Sequence, residues 1–181
     1  MGPRKPKPLD AAGLWTYALR VLSTRALTQS EMRTRLAARA ERPSDIDEVL
    51  QKVKDYGYLD DQRFAETYTR LRLDNQGFGK TRVLRDLRAR RVAPGAAEKA
   101  VRDAYCEVDE SALIEQFIRR KLRHSGARPN LKDQRQLASL HRMLLRAGFP
   151  SGKIFVALRK LSLPEEWVDG LESTAEEEAS D

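Results

Sequence analysis

Three groups of residues in this sequence have types suited to chemistry. Gly79-Lys80-Thr81 ends like a phosphate-binding loop, in which glycine N–H groups and a lysine cradle a nucleotide. That loop also needs a glycine five positions before Gly79. Asp74 stands there instead, an anion that would repel phosphate, and the segment before it reads as helix rather than strand. Gly77 and Gly79 fit a turn between two helices better. Asp60-Asp61 could serve as a metal or acid/base pair, but it stands just before an apolar helical run, where carboxylates cap orphan N–H groups. His124 and His141 are the only histidines and Cys106 the only cysteine, with no H-x-x-x-H or C-x-x-C spacing. Cys106, among Ala104, Tyr105 and Val108, reads as packing, and Trp15 as a buried residue of the first helix. Trp167 is either a docking anchor or a last hydrophobic contact. These residues supply no catalytic site, no metal site and no cofactor site, so the expectation is a protein that is not an enzyme.

The basic residues say more once placed on helical wheels at 100° per residue. From Lys80 to Arg91, Val83, Leu84 and Leu87 form the inner stripe, and Arg82, Arg85 and Arg88 project away from it with only Asp86 to offset them. From Asp109 to Arg123, Leu113, Ile114 and Phe117 face inward, leaving Arg119, Arg120 and Arg123 outward. Lys132, Arg135, Arg142 and Arg146 add charge on the next helix against Asp133. Like charges one turn apart repel by a few tenths of a kcal/mol. A same-sign cluster therefore reads as a binding face rather than a solvated one. Such a face suits salt-dependent, sequence-independent contact with phosphates, and no Asn/Gln-rich surface suited to base edges accompanies it.

The elements that must position these residues are helices. The chain has 181 residues, 34% charged and 40% hydrophobic, with a formal net charge of +7. Eight acids and no bases lie between Glu165 and Asp181, which leaves 34 basic and 19 acidic groups, a net +15, on residues 1–164. That body points to a polyanion or an acidic protein surface, and the tail to disorder. No run approaches the roughly 18–20 apolar residues of a membrane span, and Met1–Pro8 lacks a signal-peptide core. With a single cysteine, a reducing cytoplasm is expected.

Helical periodicity recurs nearly everywhere and strand alternation nowhere. Leu14, Ala18, Val21 and Leu22 fit a first helix; Met32 and Leu36 a second, opened by the capping box Thr28–Glu31; Ile46, Val49, Leu50 and Val53 a third, entered at Pro43. Six further runs follow. A shift of 51 residues superimposes Tyr17 on Tyr68, Leu36 on Leu87, Pro43 on Pro94 and Leu50 on Val101. A further shift of about 56 carries Pro94 to Pro150. The expected fold is all-α: three tandem three-helix repeats forming an elongated, curved body. The expected boundaries are a basic Pro-rich N-terminal arm at 1–9, repeats at 10–58, 59–108 and 109–164, and an acidic disordered tail at 165–181.

Gly57-Tyr58-Leu59-Asp60-Asp61-Gln62-Arg63-Phe64-Ala65 strongly resembles the G-x-L-D-D-x-x-F-A signature of the RecX family of bacterial regulatory proteins. Gly77-x-Gly79-Lys80-x-Arg82-Val83-Leu84-x-x-Leu87 resembles the family's glycine-basic stretch, and Ala18-Leu19-x-x-Leu22 and Ser30-Glu31-Met32-x-x-x-Leu36 also fit. The likeness runs from about residue 14 to 161, loosest in the last repeat, with the N-terminal arm and acidic tail outside it. In the signature, Gly57, Leu59, Asp60, Asp61, Phe64 and Ala65 are expected to form a helix cap and core. The resemblance implies a protein that binds the RecA nucleoprotein filament and modulates it, chiefly by inhibiting recombinase, ATPase and coprotease activity in DNA repair and the SOS response. It implies single- or double-stranded DNA as a nonspecific partner, no membrane, and no catalytic residues to carry over. A monomer is the simplest expectation. The alternative is a stand-alone protein that coats DNA and affects RecA by competition.

Overall fold

The structure is a computed structural model that describes residues 7–125 and 134–160, and among them it contains nine helices and no strand. They are α1 (Ala11–Leu22), α2 (Gln29–Ala37), α3 (Pro43–Asp55), α4 (Asp61–Gln76), α5 (Lys80–Ala89), α6 (Pro94–Ala104), α7 (Glu110–Ser125), α8 (Gln134–Arg146) and α9 (Ser151–Lys160). None is long and apolar enough to cross a membrane. Arg4, Lys5, Lys132, Trp167 and the acidic run after Glu165 lie outside the described residues, and so do the side chains of Arg123 and His124.

Helices α1, α2, α4 and α7 start where their own sequence offers an acceptor. Asp10 opens α1 by accepting from Gly13 N at 2.9 Å. Thr28 and Glu31 form the reciprocal capping box of α2, an arrangement that contributes about 1 kcal/mol. Pro43 takes the first position of α3, where its missing N–H would have had no partner. Asp60 accepts from Arg63 N at 3.0 Å ahead of α4, and Asp109 from Ser111 N at 2.8 Å ahead of α7.

Helix ends follow a second rule. The chain turns left-handed at Gly57 (φ 71), Gly77 (φ 56), Arg91 (φ 58) and Gly148 (φ 90). At three of these the next N–H returns to a carbonyl five residues back: Tyr58 to Val53 at 3.0 Å, Val92 to Leu87 at 3.2 Å, and Phe149 to Leu144 at 3.3 Å. This is the helix-terminating motif that glycine favours, because it has no Cβ to clash. Arg91 alone uses a side-chain-bearing residue there.

The chain divides into two compact units. One holds residues up to 68 together with 86–100; the other holds 69–85 and the residues from 101 onward. The division passes through α4, α5 and α6, so the middle three-helix set contributes to both. In the first unit, Leu14, Ala18, Met32, Leu36, Val49 and Val53 are buried together, with Leu27 and Leu59 closing the same core. Leu9 is tied to this unit by Leu9 N to Arg39 O at 2.7 Å and Glu41 N to Leu9 O at 2.9 Å. In the second, Ile114, Phe117, Ile118, Leu137, Leu144, Ile154 and Leu158 form the core, with Phe149 set edge-on to Phe117 at 5.6 Å. Burying each such side chain stabilises the fold by about 1.5–3 kcal/mol.

Two packing expectations are corrected. Cys106 is exposed, because its neighbour Tyr105 takes the inward position in the turn just after α6. Trp15 is only half buried: Lys52 Nζ lies 4.7 Å from its ring centroid and Tyr56 at 5.4 Å, so its outer face is covered by polar and aromatic neighbours rather than by core.

Candidate functional surface and the clips beneath it

The signature run Gly57–Ala65 is a structural clip within the first unit. Gly57 ends α3 and Leu59 drops into the core at 4% exposure, which places the two aspartates at the mouth of α4. Asp60 caps that helix, as expected. Asp61 does not: its Oδ1 accepts from Gln29 N at 2.8 Å and so caps the start of α2, 32 residues earlier in the chain. Burial raises the Asp61 pKa; the Gln29 N–H opposes that rise, and the charges of Asp60 and Glu31 add to it. Phe64 is half buried rather than core. It stacks on Tyr68 at 5.8 Å, and the Arg90 guanidinium covers both rings at 5.8 and 5.1 Å. Arg90 also donates to Glu31 Oε1 at 2.7 Å, while the Arg90 carbonyl accepts from Thr28 Oγ1 at 2.9 Å. One arginine thus joins the end of α5 to the capping box of α2 and the aromatic face of α4. Planar, multi-donor arginine suits this role as lysine would not.

A second clip organises the other unit around the glycine-basic stretch. Gly79 N donates to Ala147 O at 2.9 Å, and the approach is so close that a Cβ on Gly79 would sit 2.2 Å from Gly148 O. The surface a nucleotide phosphate would need is therefore filled by backbone, and the glycines serve packing. Tyr105 donates its hydroxyl to Phe78 O at 2.6 Å, and burial pushes its phenol far above the ordinary tyrosine range, reinforced by Glu110 and Asp74. Lys80 pairs with Glu110 at 3.2 Å.

The candidate arginines separate into two populations. Arg120 does not point outward as the wheel implies. Its guanidinium donates to Asn75 O at 3.1 Å and to Gln76 O, on the last turn of α4, and lies 5.6 Å from the Phe117 ring. Arg82 behaves similarly, over Phe78 at 5.3 Å with Nη1 donating to Arg146 O at 3.4 Å, at the end of α8. The cause is shared: the last carbonyls of a helix lack partners and carry the negative end of its dipole, so a nearby cation folds onto them. Arg85, Arg88, Arg119, Arg135, Arg142 and Arg146 are exposed instead. Arg88 pairs with Glu98 at 3.2 Å and Arg119 with Glu115 at 3.4 Å, but their side chains remain 60% and 72% exposed. Surface pairs of this kind contribute about 0–1 kcal/mol, so both arginines remain available to a partner. Sequence reasoning missed Arg90, Gly148 and the Tyr105 hydroxyl. Their partners lie 22 to 69 residues away in the chain, beyond the reach of local periodicity.

Comparison with known proteins completes the site. Residues 60–101, which take in both aspartates and α4 to most of α6, match the family model for the second three-helix domain of RecX. The regulatory protein RecX of Deinococcus radiodurans is 32% identical over 162 residues, covering 88% of this chain and 74% of that protein. RecX of Halorhodospira halophila is 34% identical over 140 residues, covering 77% and 83%. Among solved structures, RecX from Lactobacillus salivarius superposes with a TM-score of 0.65 at 19% identity, covering 84% of this chain and 96% of that one. The three-helix repeats, the signature and these relatives together place the chain in the RecX family of regulatory proteins.

Proposed function

We propose that this protein binds the RecA nucleoprotein filament on DNA and restrains RecA's recombinase, ATPase and coprotease activities in DNA repair and the SOS response. Family membership directs the reading to RecA. The observation that carries the mode of binding is the exposed set Arg85, Arg119, Arg135, Arg142 and Arg146 of the second unit; Arg88 is exposed in the first. In this reading these side chains meet DNA phosphate or acidic protein surface. The clips formed by Arg90, Arg82 and Arg120 keep the displaying helices in place. The chain contributes no bond-making step; it acts by occupancy.

The test is RecA's DNA-dependent ATPase on single-stranded DNA, with this protein added from about one per fifty RecA upward. Action on the filament gives inhibition at substoichiometric ratios; inhibition only near lattice saturation supports the DNA-coating alternative. Exchanging Arg85, Arg119, Arg142 and Arg146 for Glu should raise the half-inhibitory concentration at least about tenfold with helicity intact, since each exchange removes a cation and adds an anion beside the polyanion. Arg82 and Arg120 are excluded from this set because their loss would disturb packing. Undiminished inhibition by the folded quadruple variant refutes the arginine assignment.

A further inference from the structure

A cleft of about 370 Å³ in the first unit is lined by none of the displayed arginines. Its lining includes Arg25 before α2, Ser30, Thr34 and Arg35 on α2, and Arg90 and Arg91 at the end of α5. Glu31 is the one carboxylate in that lining, and it is bonded to Arg90. Among the described residues Arg25, Arg35 and Arg91 face no carboxylate partner, so the cleft holds three uncompensated cations. Thr34 Oγ1 donates to Ser30 O at 2.9 Å, which leaves the Ser30 hydroxyl as the neutral donor.

Two further observations point to a ligand rather than to a solvated patch. The first is Arg91 itself, the one non-glycine residue at positive φ among the described residues. The matching turn of the third repeat uses Gly148, with the same five-residue return bond, Phe149 to Leu144 where the middle repeat has Val92 to Leu87. At Arg91 the chain places a guanidinium where glycine would be free of strain, and strained backbone concentrates at functional positions. The second is rigidity. Arg90 is fixed by Glu31, by Thr28 Oγ1 on its carbonyl and by the rings of Phe64 and Tyr68, so the floor of the cleft is built before any ligand arrives.

The donors also select the ligand's shape. A carboxylate is planar, and one bidentate arginine satisfies it. Here the lining donors come from the loop before α2, from α2 and from the turn after α5, and a tetrahedral oxyanion accepts from several sides. We propose that this cleft seats a phosphate group, and that the group is a phosphodiester of the nucleic-acid backbone. The second half of that proposal rests on the DNA reading above; the first does not.

The test uses the full chain and two probes. With inorganic phosphate at constant ionic strength, the NMR side-chain Nε–Hε signals of Arg25, Arg35 and Arg91 should shift, and those of Arg33, paired with Asp47, should not. With labelled oligothymidylate followed by anisotropy across salt concentrations, an Arg25→Gln/Arg35→Gln variant should bind at least about tenfold more weakly. It should also lose about 0.7 from the slope of log K against log salt, the share of one single-strand phosphate. Arg91→Gly should weaken binding in the same direction without lowering thermal stability, because glycine adopts φ 58 freely; this separates lost binding from lost fold. Arg33→Gln should leave both readouts unchanged. Phosphate shifts combined with wild-type DNA affinity and slope in both pocket variants would overturn the nucleic-acid half. Shifts with polyglutamate but not with phosphate would overturn the proposal whole. Should the wild type fail to bind DNA at any salt concentration, the DNA reading falls, and the phosphate titration still decides the cleft.

Discussion

Substituting Gly79 by alanine tests whether the glycine-basic stretch is a packing joint or a phosphate loop. The added Cβ would lie 2.2 Å from Gly148 O, 2.4 Å from Gly148 C and 2.8 Å from Phe149 N. All three are backbone atoms, so no side-chain rotation relieves the overlap and the turn after α8 must move. Overpacking of this kind costs about 1–3 kcal/mol, and loosening the Gly79 N to Ala147 O bond adds about 0.5–1.5 kcal/mol. The lower entropy of an alanine-bearing unfolded chain returns about 0.4–1 kcal/mol. The net expectation is destabilisation of about 0.5–4 kcal/mol, centred near 2, read as a lower urea midpoint by circular dichroism. Gly95→Ala is the internal control: its Cβ would meet nothing within 4 Å on α6, so stability should rise by about 0.4–1 kcal/mol. ATP should alter neither midpoint. If Gly79→Ala matches the wild type within about 0.5 kcal/mol, the backbone approach is not as described. A midpoint that rises with ATP in the wild type and not in Gly79→Ala would restore the phosphate-loop reading.

Two further substitutions probe the clips. Tyr105→Phe strands the Phe78 carbonyl and should cost about 1–3 kcal/mol at pH 8. The raised phenol pKa means the folded chain keeps a proton that the unfolded chain releases near pH 10. The gap between wild type and variant should therefore be full below pH 10 and shrink above it; a gap constant to pH 11 in urea titrations refutes the assignment. Asp61 has a raised pKa, so its ionisation works against the folded state. The stability contributed by the protonated carboxyl is present at or below the unfolded pKa of about 3.9 and is lost as pH rises through the folded value. Asp61→Asn keeps an acceptor for Gln29 N and should equal or exceed the wild type at pH 7, with the difference closing toward pH 4. Asp61→Ala should lose about 1 kcal/mol as the N–H of α2 is orphaned. A wild type that outlasts Asp61→Asn at pH 7 overturns this account of the charge.

Local rules made much of the fold legible. The Thr28–Glu31 capping box, Pro43 at the head of α3 and Asp60 ahead of α4 appear where the sequence places them, because each depends on residues within a turn. The same locality explains the failures. Asp61 looks like a second cap for its own helix and instead caps α2, a choice fixed by how the first unit packs. Cys106 and Tyr105 are neighbours of similar apolar character, and only the burial of Tyr105 decides which turns inward. Trp15 has the apolar bulk of a core residue, yet α3 ends beside it with Tyr56 and Lys52 rather than covering it.

The arginines show why charge alone overstates a binding surface. Consecutive residues on a helix differ by 100°, enough for Arg119 and Arg120 to meet different surroundings. Arg119 is displayed at 72% exposure while Arg120 folds onto the carbonyls that end α4. Arg90 and Arg91 divide the same way at the end of α5: one is clamped between Glu31 and two aromatic rings, the other is turned by its left-handed backbone into the cleft. In each pair the inward arginine is bonded within its own unit, to helix-end carbonyls or to a carboxylate, and it is already committed before a partner arrives. The net charge of residues 1–164 therefore counts arginines that hold the helices together with those that meet something else. Only neutralising the two kinds separately distinguishes a weakened interface from a loosened fold.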